Sequence, residues 1–317
     1  MQPTVDKIAA AAGPVRDRIR PAIIETPCLP ARTLDGVFYK TENLQNTGSF
    51  KLRGAMSKLT SLSVEQPLIT ASSGNHGIAC SHAASQTGHD LTVVLPENVA
   101  KAKLTKIESY GVKVVLHPGD SGKAEVEARA RADSDGFTYV SPYNDPDVVA
   151  GQATIGLEIA EQVPDAASIY VSMGGGGLIS GIGAAIKSHN PDIRVVGVSA
   201  TNSAALAASI TAGQITDVEH LDTLADGCAG GVDEGAITLP LASQLVDTLI
   251  HCTEEEIAET LRLIAWEDKM LVEGAAALAL AGLFKDEDRK RGEKSVVVLC
   301  GSNFDTTVIA PIVDPGA

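Results

Sequence analysis

Short apolar runs alternate with amphipathic stretches along almost the whole chain. Runs at 37–40, 68–71, 91–95, 113–116, 138–140, 168–172, 195–199 and 295–299 are too short for helices. They are rich in Val, Ile and Leu, as buried strands are. Between them, helical spacing of apolar residues predicts helices at 77–86, 101–110, 123–133, 148–162, 178–188, 204–212, 254–268 and 274–284. Thr253 followed by Glu256 reads as a capping box opening one of these. A further helix is expected after Ser49, with Ser49 capping its free amides and Phe50, Leu52, Ala55, Met56 and Leu59 turned inward.

Strand–helix alternation of this kind predicts an α/β protein with mainly parallel sheets. Strand–loop–helix units recur near 68–120 and near 168–215. The expectation is therefore two lobes, each an open, mainly parallel, twisted sheet flanked by helices. The lobes are expected to be a large domain from residues 1–62 and 147–317 and a small mobile domain from 63–146.

Composition narrows the function classes. Aromatic residues are only 3% of 317, so Val, Ile, Leu and Ala must build the core. A net charge of −15 argues against a nucleic-acid partner, which needs basic patches. The five cysteines form no C-x-x-C pair, so neither a disulfide framework nor a zinc ribbon is readable. The first residues lack a basic-then-apolar leader pattern. The longest apolar stretch, 275–284, is about half the membrane-spanning length. Cytoplasmic residence is the expectation.

Three loops carry candidate chemistry. The first is the stretch Thr47-Gly48-Ser49-Phe50-Lys51-Leu52-Arg53-Gly54-Ala55, which places a lone lysine in a first helical turn. The positive end of the helix dipole favours the neutral amine there, the form that attacks carbonyls. The second, Ser72-Ser73-Gly74-Asn75-His76-Gly77, follows a strand and opens a helix. Its hydroxyls, amide and free backbone N–H groups suit an anion such as a carboxylate. The third is Gly174-Gly175-Gly176-Gly177 before Leu178, again between strand and helix. Its glycines are spaced G-x-G-x-x-x-G with Gly181, and 194–208 holds no Asp or Glu for a ribose. That pattern suits a single phosphate better than a dinucleotide. Cys300 ends the last buried strand and, taken alone, reads as a small core residue.

Together the lysine stretch, the S-S-G-N-H-G loop, the tetraglycine and Cys300-Gly301-Ser302-Asn303 resemble the pyridoxal-phosphate enzymes of fold type II, the tryptophan synthase β superfamily. Among these the chain looks most like the serine/threonine dehydratase and serine racemase family. The resemblance spans residues 47 to 303 and includes 149–158, Ala225-Asp226-Gly227 and Glu273-Gly274-Ala275. It implies that Lys51 binds pyridoxal 5′-phosphate as a Schiff base and later acts as general base. It implies that Gly174, Gly175, Gly176, Gly177 and the backbone of Leu178 cradle the phosphate. Asn75 is implied to bond the ring's 3′-oxygen, Phe50 to pack beside the ring and Cys300 to face its nitrogen. Ser72, Ser73, Gly74, Asn75 and His76 are implied to hold the substrate carboxylate. Ser73 also stands where the racemase branch keeps a second acid/base.

The activity so implied is α,β-elimination from a β-hydroxy amino acid such as threonine or serine, giving a 2-oxo acid and ammonia, with a homodimer as the working form. A racemase, or a dehydratase of 3-hydroxyaspartate or of an ectoine-derived hydroxy amino acid, stays open at this point. So does a non-enzymatic anion-binding α/β protein. The metal-activated relatives carry carboxylates after the strand matching 195–199. Here that segment reads Ser199-Ala200-Thr201-Asn202-Ser203, so no metal is expected.

Overall fold

The computed structural model describes residues 3–314 and 316. Met1, Gln2, Pro315 and Ala317, at the ends of the expected large domain, lie outside the described residues. The apolar runs pair into two sheets. The strands are β1 (Cys28–Pro30), β2 (Val37–Lys40), β3 (Leu68–Ala71), β4 (Leu91–Pro96), β5 (Lys113–His117), β6 (Thr138–Tyr139), β7 (Ala166–Ser172), β8 (Arg194–Ala200), β9 (Thr248–Cys252) and β10 (Lys294–Val298). One sheet has the order β1-β2-β10-β7-β8-β9, the other β5-β4-β3-β6. All pairings are parallel except β1 with β2. The fold is thus α/β with two parallel-sheet lobes flanked by helices, as the alternation predicts.

The helices are α1 (Val5–Ile19), α2 (Lys51–Leu59), α3 (Asn75–Thr87), α4 (Lys101–Glu108), α5 (Ser121–Asp135), α6 (Pro146–Gln162), α7 (Gly177–His189), α8 (Ala205–Ala212), α9 (Thr238–Leu245), α10 (Glu254–Leu263), α11 (Gly274–Lys285) and α12 (Thr306–Val313). Local chemistry explains several ends. Asp145 caps α6 by accepting from the amides of Asp147 and Val148, with Pro146 at the first helical position. The Thr253–Glu256 capping box is formed in both directions at α10. The expected 254–268 helix divides there, since Ile264–Asp268 widens to a π-turn that ends on Lys269 at φ 62°.

The pattern missed β1, β9, α1, α9 and α12. β1 is an edge strand of three residues carrying a proline, and β9 shows no alternation, with Thr248, Leu249 and Ile250 half-buried, His251 exposed and Cys252 buried. α1 and α12 each contain an internal proline, which breaks the expected helical signature.

The large core surrounds β7, β8 and β10, with α11 buried along Gly274–Leu283 on one face and α7 on the other. A second core joins β3 and β4 to α3 and also to Leu52, Ala55, Met56 and Leu59 of α2. The helix that begins with Lys51 therefore lies between the lobes. It packs on α6 at van der Waals limits: a Cβ added to Gly151 would stand 2.5 Å from the Arg53 carbonyl oxygen. Any side chain there would push α2, and Lys51 with it, out of place.

Ser49 does not cap α2. Phe50 occupies the cap position in helical geometry with no side-chain bond, and the Phe50 amide donates to Cys300 O at 3.0 Å. Ser49 is drawn instead into an antiparallel bridge with Gly301, its hydroxyl buried and without a partner among the described residues. A tertiary backbone contact has overridden a local propensity.

Candidate active site

The three chemical loops converge where strand ends meet, as ligand sites do in open α/β sheets. The tetraglycine follows β7 and opens α7. Cys300 and Gly301 follow β10, beside β7 in the same sheet. The Ser72–Asn75 loop follows β3 in the other sheet and opens α3.

Lys51 is the first residue of α2. Its Nζ donates to Pro142 O at 2.9 Å, stands 5.1 Å from the Phe50 ring centroid, and lies among Cys228, Cys80 and Cys300. Burial holds its pKa below the ordinary lysine value, against the weaker opposing pull of those thiols and Glu273. The amine is thus held in one place and biased towards its nucleophilic form.

The glycine loop is shaped by four different neighbours. A Cβ on Gly174 would press on the Cys228 backbone at 3.0 Å, and one on Gly175 would stand 2.3 Å from the Tyr143 ring. Gly176 sits at φ +88° against Leu206 and Thr238, and Gly177 lies under Tyr143. With the loop closed on protein so tightly, its amides are left over. Among the described residues, the N–H groups from Gly175 to Ile179 find no acceptor, and the first intrahelical bond is Ser180 N to Gly176 O. That row of donors at a helix N-terminus is an anion cradle. We expect Gly175→Ala to displace Tyr143 or the loop and to weaken coenzyme affinity roughly tenfold, the scale of an overpacking cost of about 1–3 kcal/mol. Coenzyme titration by fluorescence checks this.

The α3 end is similar. The Ser72 hydroxyl accepts from the Gly74 amide at 3.2 Å, and the Asn75, His76 and Gly77 amides have no acceptor among the described residues. The His76 ring turns away into the small-lobe core. Its Nε2 bonds Val140 O at 2.9 Å, and burial with the nearby Lys51 pushes its pKa down to about 3. His76 therefore offers its backbone N–H rather than a charged ring. The Ser73 hydroxyl makes no hydrogen bond among the described residues.

Glu273 is the residue that sequence reasoning passed over. It is noted above only as part of a family-like tripeptide. Its carboxylate accepts from Asn75 Nδ2 at 2.9 and 3.0 Å and from the Asn303 amide at 3.2 Å, and lies 3.8 Å from Cys300 Sγ. Asn303 Nδ2 in turn donates to Asn75 Oδ1 at 2.7 Å. Asn75 is thereby fixed from both sides, and the network joins it to Cys300 through Glu273. A Cβ at Gly301 would stand 2.6 Å from Glu273 Oε1 and would push that carboxyl off its partners. Burial keeps the Cys300 thiol neutral, its pKa well above the free value. The same desolvation raises Glu273 to about 7, from 4.5.

A consequence follows for pH. Between about 4.5 and 7 the unfolded chain has already released the Glu273 proton while the folded chain keeps it. The folded state binds more protons there, so stability falls as pH rises through that window. Glu273→Gln is expected to flatten this slope in urea melts taken from pH 5 to 8. It is also expected to remove an apparent pKa near 7 from the kcat/KM profile.

A half-buried lysine with a lowered pKa, in the same site as a row of unpaired helix-start amides, suits a class, namely enzymes that bind an aldehyde coenzyme covalently and hold it by its anionic tail. The chain belongs to the pyridoxal-phosphate dependent enzyme family, whose sequence profile matches residues 19–301. An L-threonine ammonia-lyase of Thermotoga maritima is 39% identical over 300 residues, 94% of this chain and 74% of that protein. The catabolic L-threonine dehydratase of Escherichia coli is 38% identical over 281 residues, 87% and 85% of the two chains. The serine racemase structure from Dictyostelium discoideum superposes with TM-score 0.87 at 31% identity, over 96% of this chain and all of that one. The residues in place fit the coenzyme: a lysine amine with lowered pKa, unpaired amides for a phosphate, and an asparagine pinned beside a neutral thiol.

Proposed function

We propose that this enzyme is a threonine/serine ammonia-lyase that removes water and ammonia from a β-hydroxy amino acid to give a 2-oxo acid. The observation that carries the reading is Lys51 Nζ, held on Pro142 O among Cys228, Cys80, Cys300 and Glu273. Threonine is the named substrate of the similar bacterial enzymes.

When bound, pyridoxal phosphate supplies the conjugated electron sink that makes a Cα–H bond acidic. The chain's residues divide the rest of the work. Lys51 forms the covalent link and, once freed, is the base for the Cα proton, burial biasing its amine towards the neutral form. The unpaired amides of Gly175–Ile179 bind the phosphate. Those of Asn75, His76 and Gly77, with the Ser72 and Ser73 hydroxyls, receive the substrate carboxylate. Asn75, fixed by Glu273 and Asn303, orients the ring from its 3′-oxygen side. Cys300, a neutral thiol, leaves the ring nitrogen without a proton-holding carboxylate. That tempers the sink and favours elimination over amino transfer.

A second reading, racemisation beside elimination, is favoured by one observation: the Ser73 hydroxyl is uncommitted and free to carry a proton. The lobes divide functionally as a coenzyme-holding large domain (1–62 and 147–317) and a mobile small domain (63–146), and α2 bridges them. The working form is a cytoplasmic homodimer. Exposed Trp266 and Leu271 offer apolar surface of the kind subunits cover, and no helix among the described residues is long and apolar enough to cross a membrane.

The test is 2-oxo acid release from threonine, serine and other β-hydroxy amino acids by the holoenzyme, with the chirality of the residual substrate measured. A colourless protein that borohydride does not fix to coenzyme at Lys51, and that releases no 2-oxo acid, would sink the reading in favour of simple anion binding.

A further inference from the structure

We propose that Asp233 is a specificity-determining residue, closing the side-chain end of the site to substrates that carry a second carboxylate. The inference rests on the ammonia-lyase reading and names its substrate class: β-hydroxy amino acids with uncharged side chains.

The segment 229–236 arches over the glycine loop. It departs from Cys228, whose backbone packs on Gly174, and returns at Thr238, whose hydroxyl donates to Gly175 O at 2.7 Å. Between these footings the chain is held by Val232 against the main core and by the Gly230 amide on Ser203 Oγ at 3.1 Å, while its glycines are open. A Cβ added at Gly230, Gly231 or Gly235 would meet nothing within 4 Å, and Gly230 and Gly235 have φ of +115° and +70°. Asp233 is the anchor in the middle. Its amide donates to the Tyr143 hydroxyl at 2.9 Å, and its carboxylate accepts from Arg129 Nη2 at 2.9 Å and Asn144 Nδ2 at 3.2 Å. Asn144 Oδ1 accepts from the Ile237 amide at 3.0 Å. The Tyr143 ring lies on Gly175, and its neighbour Pro142 is the acceptor for Lys51. Asp233 thus closes a ring of contacts that begins and ends on the coenzyme site.

Charge decides what this wall admits. Arg129, from the other lobe, is shared between Asp233 and Glu125, the latter at 2.8 Å, so one cation meets two anions. The other cations near this wall are also matched. Lys58 pairs with Asp145 at 2.7 Å and Asp147 at 3.1 Å, and Lys51 is committed to the coenzyme. The α3 amides serve a single carboxylate. A second one entering beside the segment 229–236 meets a net negative wall, and uncompensated like charge in a half-buried site is a strong rejecting element.

The test compares holoenzyme kcat/KM for L-threonine and for 3-hydroxyaspartate in the wild type, Asp233→Asn and Arg129→Met. Asp233→Asn keeps the side-chain shape and removes one anion. The wild type should favour threonine. The hydroxyaspartate-to-threonine ratio should rise about tenfold in Asp233→Asn, less so at high salt, and fall in Arg129→Met. Arg129→Met loses the same ion pair, so a merely structural role would move the ratio the same way in both variants. An active Asp233→Asn enzyme with an unmoved ratio overturns the inference, as does a wild type that takes 3-hydroxyaspartate as readily as threonine. A wild type that releases 2-oxo acid from none of these substrates overturns the ammonia-lyase reading as well, which an unmoved ratio does not.

Discussion

Lys51→Ala is expected to lose elimination activity by roughly 10⁴-fold or more, because in the proposed function one amine serves both as covalent anchor and as base. Borohydride no longer fixes coenzyme to the chain, while the phosphate cradle still retains it reversibly. Stability separates this loss from misfolding. Burial lowers the Lys51 pKa from 10.5, so the unfolded chain binds a proton that the folded apoprotein releases as pH approaches that value. The unfolded state then holds more protons, and wild-type apoprotein gains stability as pH rises towards 10.5. The alanine variant lacks this gain and is no less stable at neutral pH. Urea melts of both apoproteins at pH 7 and pH 10 are the measurement. A variant less stable than the wild type at both would mean that the amine is a structural tie to Pro142 rather than a held nucleophile.

The second large effect lies two residues along the same helix. Arg53 is fully buried and bonds two carboxylates, each bidentately. It reaches Glu42 through Nε at 2.8 Å and Nη2 at 2.9 Å, and Glu158 through Nη1 at 2.6 Å and Nη2 at 2.8 Å. Lys40, equally buried, bonds Glu158 at 2.5 Å, and the Thr26 hydroxyl bonds Glu42. Two cations and two anions make the cluster neutral, and it ties β2, α2 and α6 together beneath Lys51. Arg53→Met strands a surplus negative charge in the interior and is expected to cost about 3–5 kcal/mol. Lys40→Met with Glu158→Gln removes one charge of each sign and should cost less, although it deletes more ionised groups. Thermal or urea unfolding of the two variants decides this, and the reverse ranking would show that hydrogen-bond count outweighs charge balance. An acid limb is expected too. Burial raises the Glu42 carboxyl, but Arg53 more than offsets this and holds it below 4.5. The stability it contributes is present above 4.5 and is lost as pH falls through the lowered folded value.

Hydrophobic pattern located every strand of the two sheets except the short edge β1 and the mostly half-buried β9. It did so because a strand buried on both faces must be apolar whatever surrounds it. The chemical loops were legible for a similar reason. Glycine runs and clustered small polar residues between a strand and a helix are costly unless the backbone has a use there. The sequence failed wherever a residue's role depends on what the fold brings to it. Ser49 has an ideal capping side chain, yet Gly301 takes its backbone. His76 stands in a carboxylate-binding motif, yet its ring belongs to the small-lobe core. Glu273 had no local mark of importance, since its meaning comes from Asn75, 198 positions away in the chain. The tetraglycine predicted a phosphate, but Tyr143, Cys228, Leu206 and Thr238 are what require each glycine.

The sequence by itself therefore determined the α/β class and marked out the lysine stretch and the two glycine-bearing loops that the fold brings together, because periodicity and backbone cost are local quantities. Only the tertiary structure decided which side chains gather with Lys51 and Asn75, that the Glu273 carboxylate is buried among them, and that Arg53 is neutralised by Glu42 and Glu158. Those are matters of desolvation and charge pairing, set by distances between residues that the chain keeps far apart.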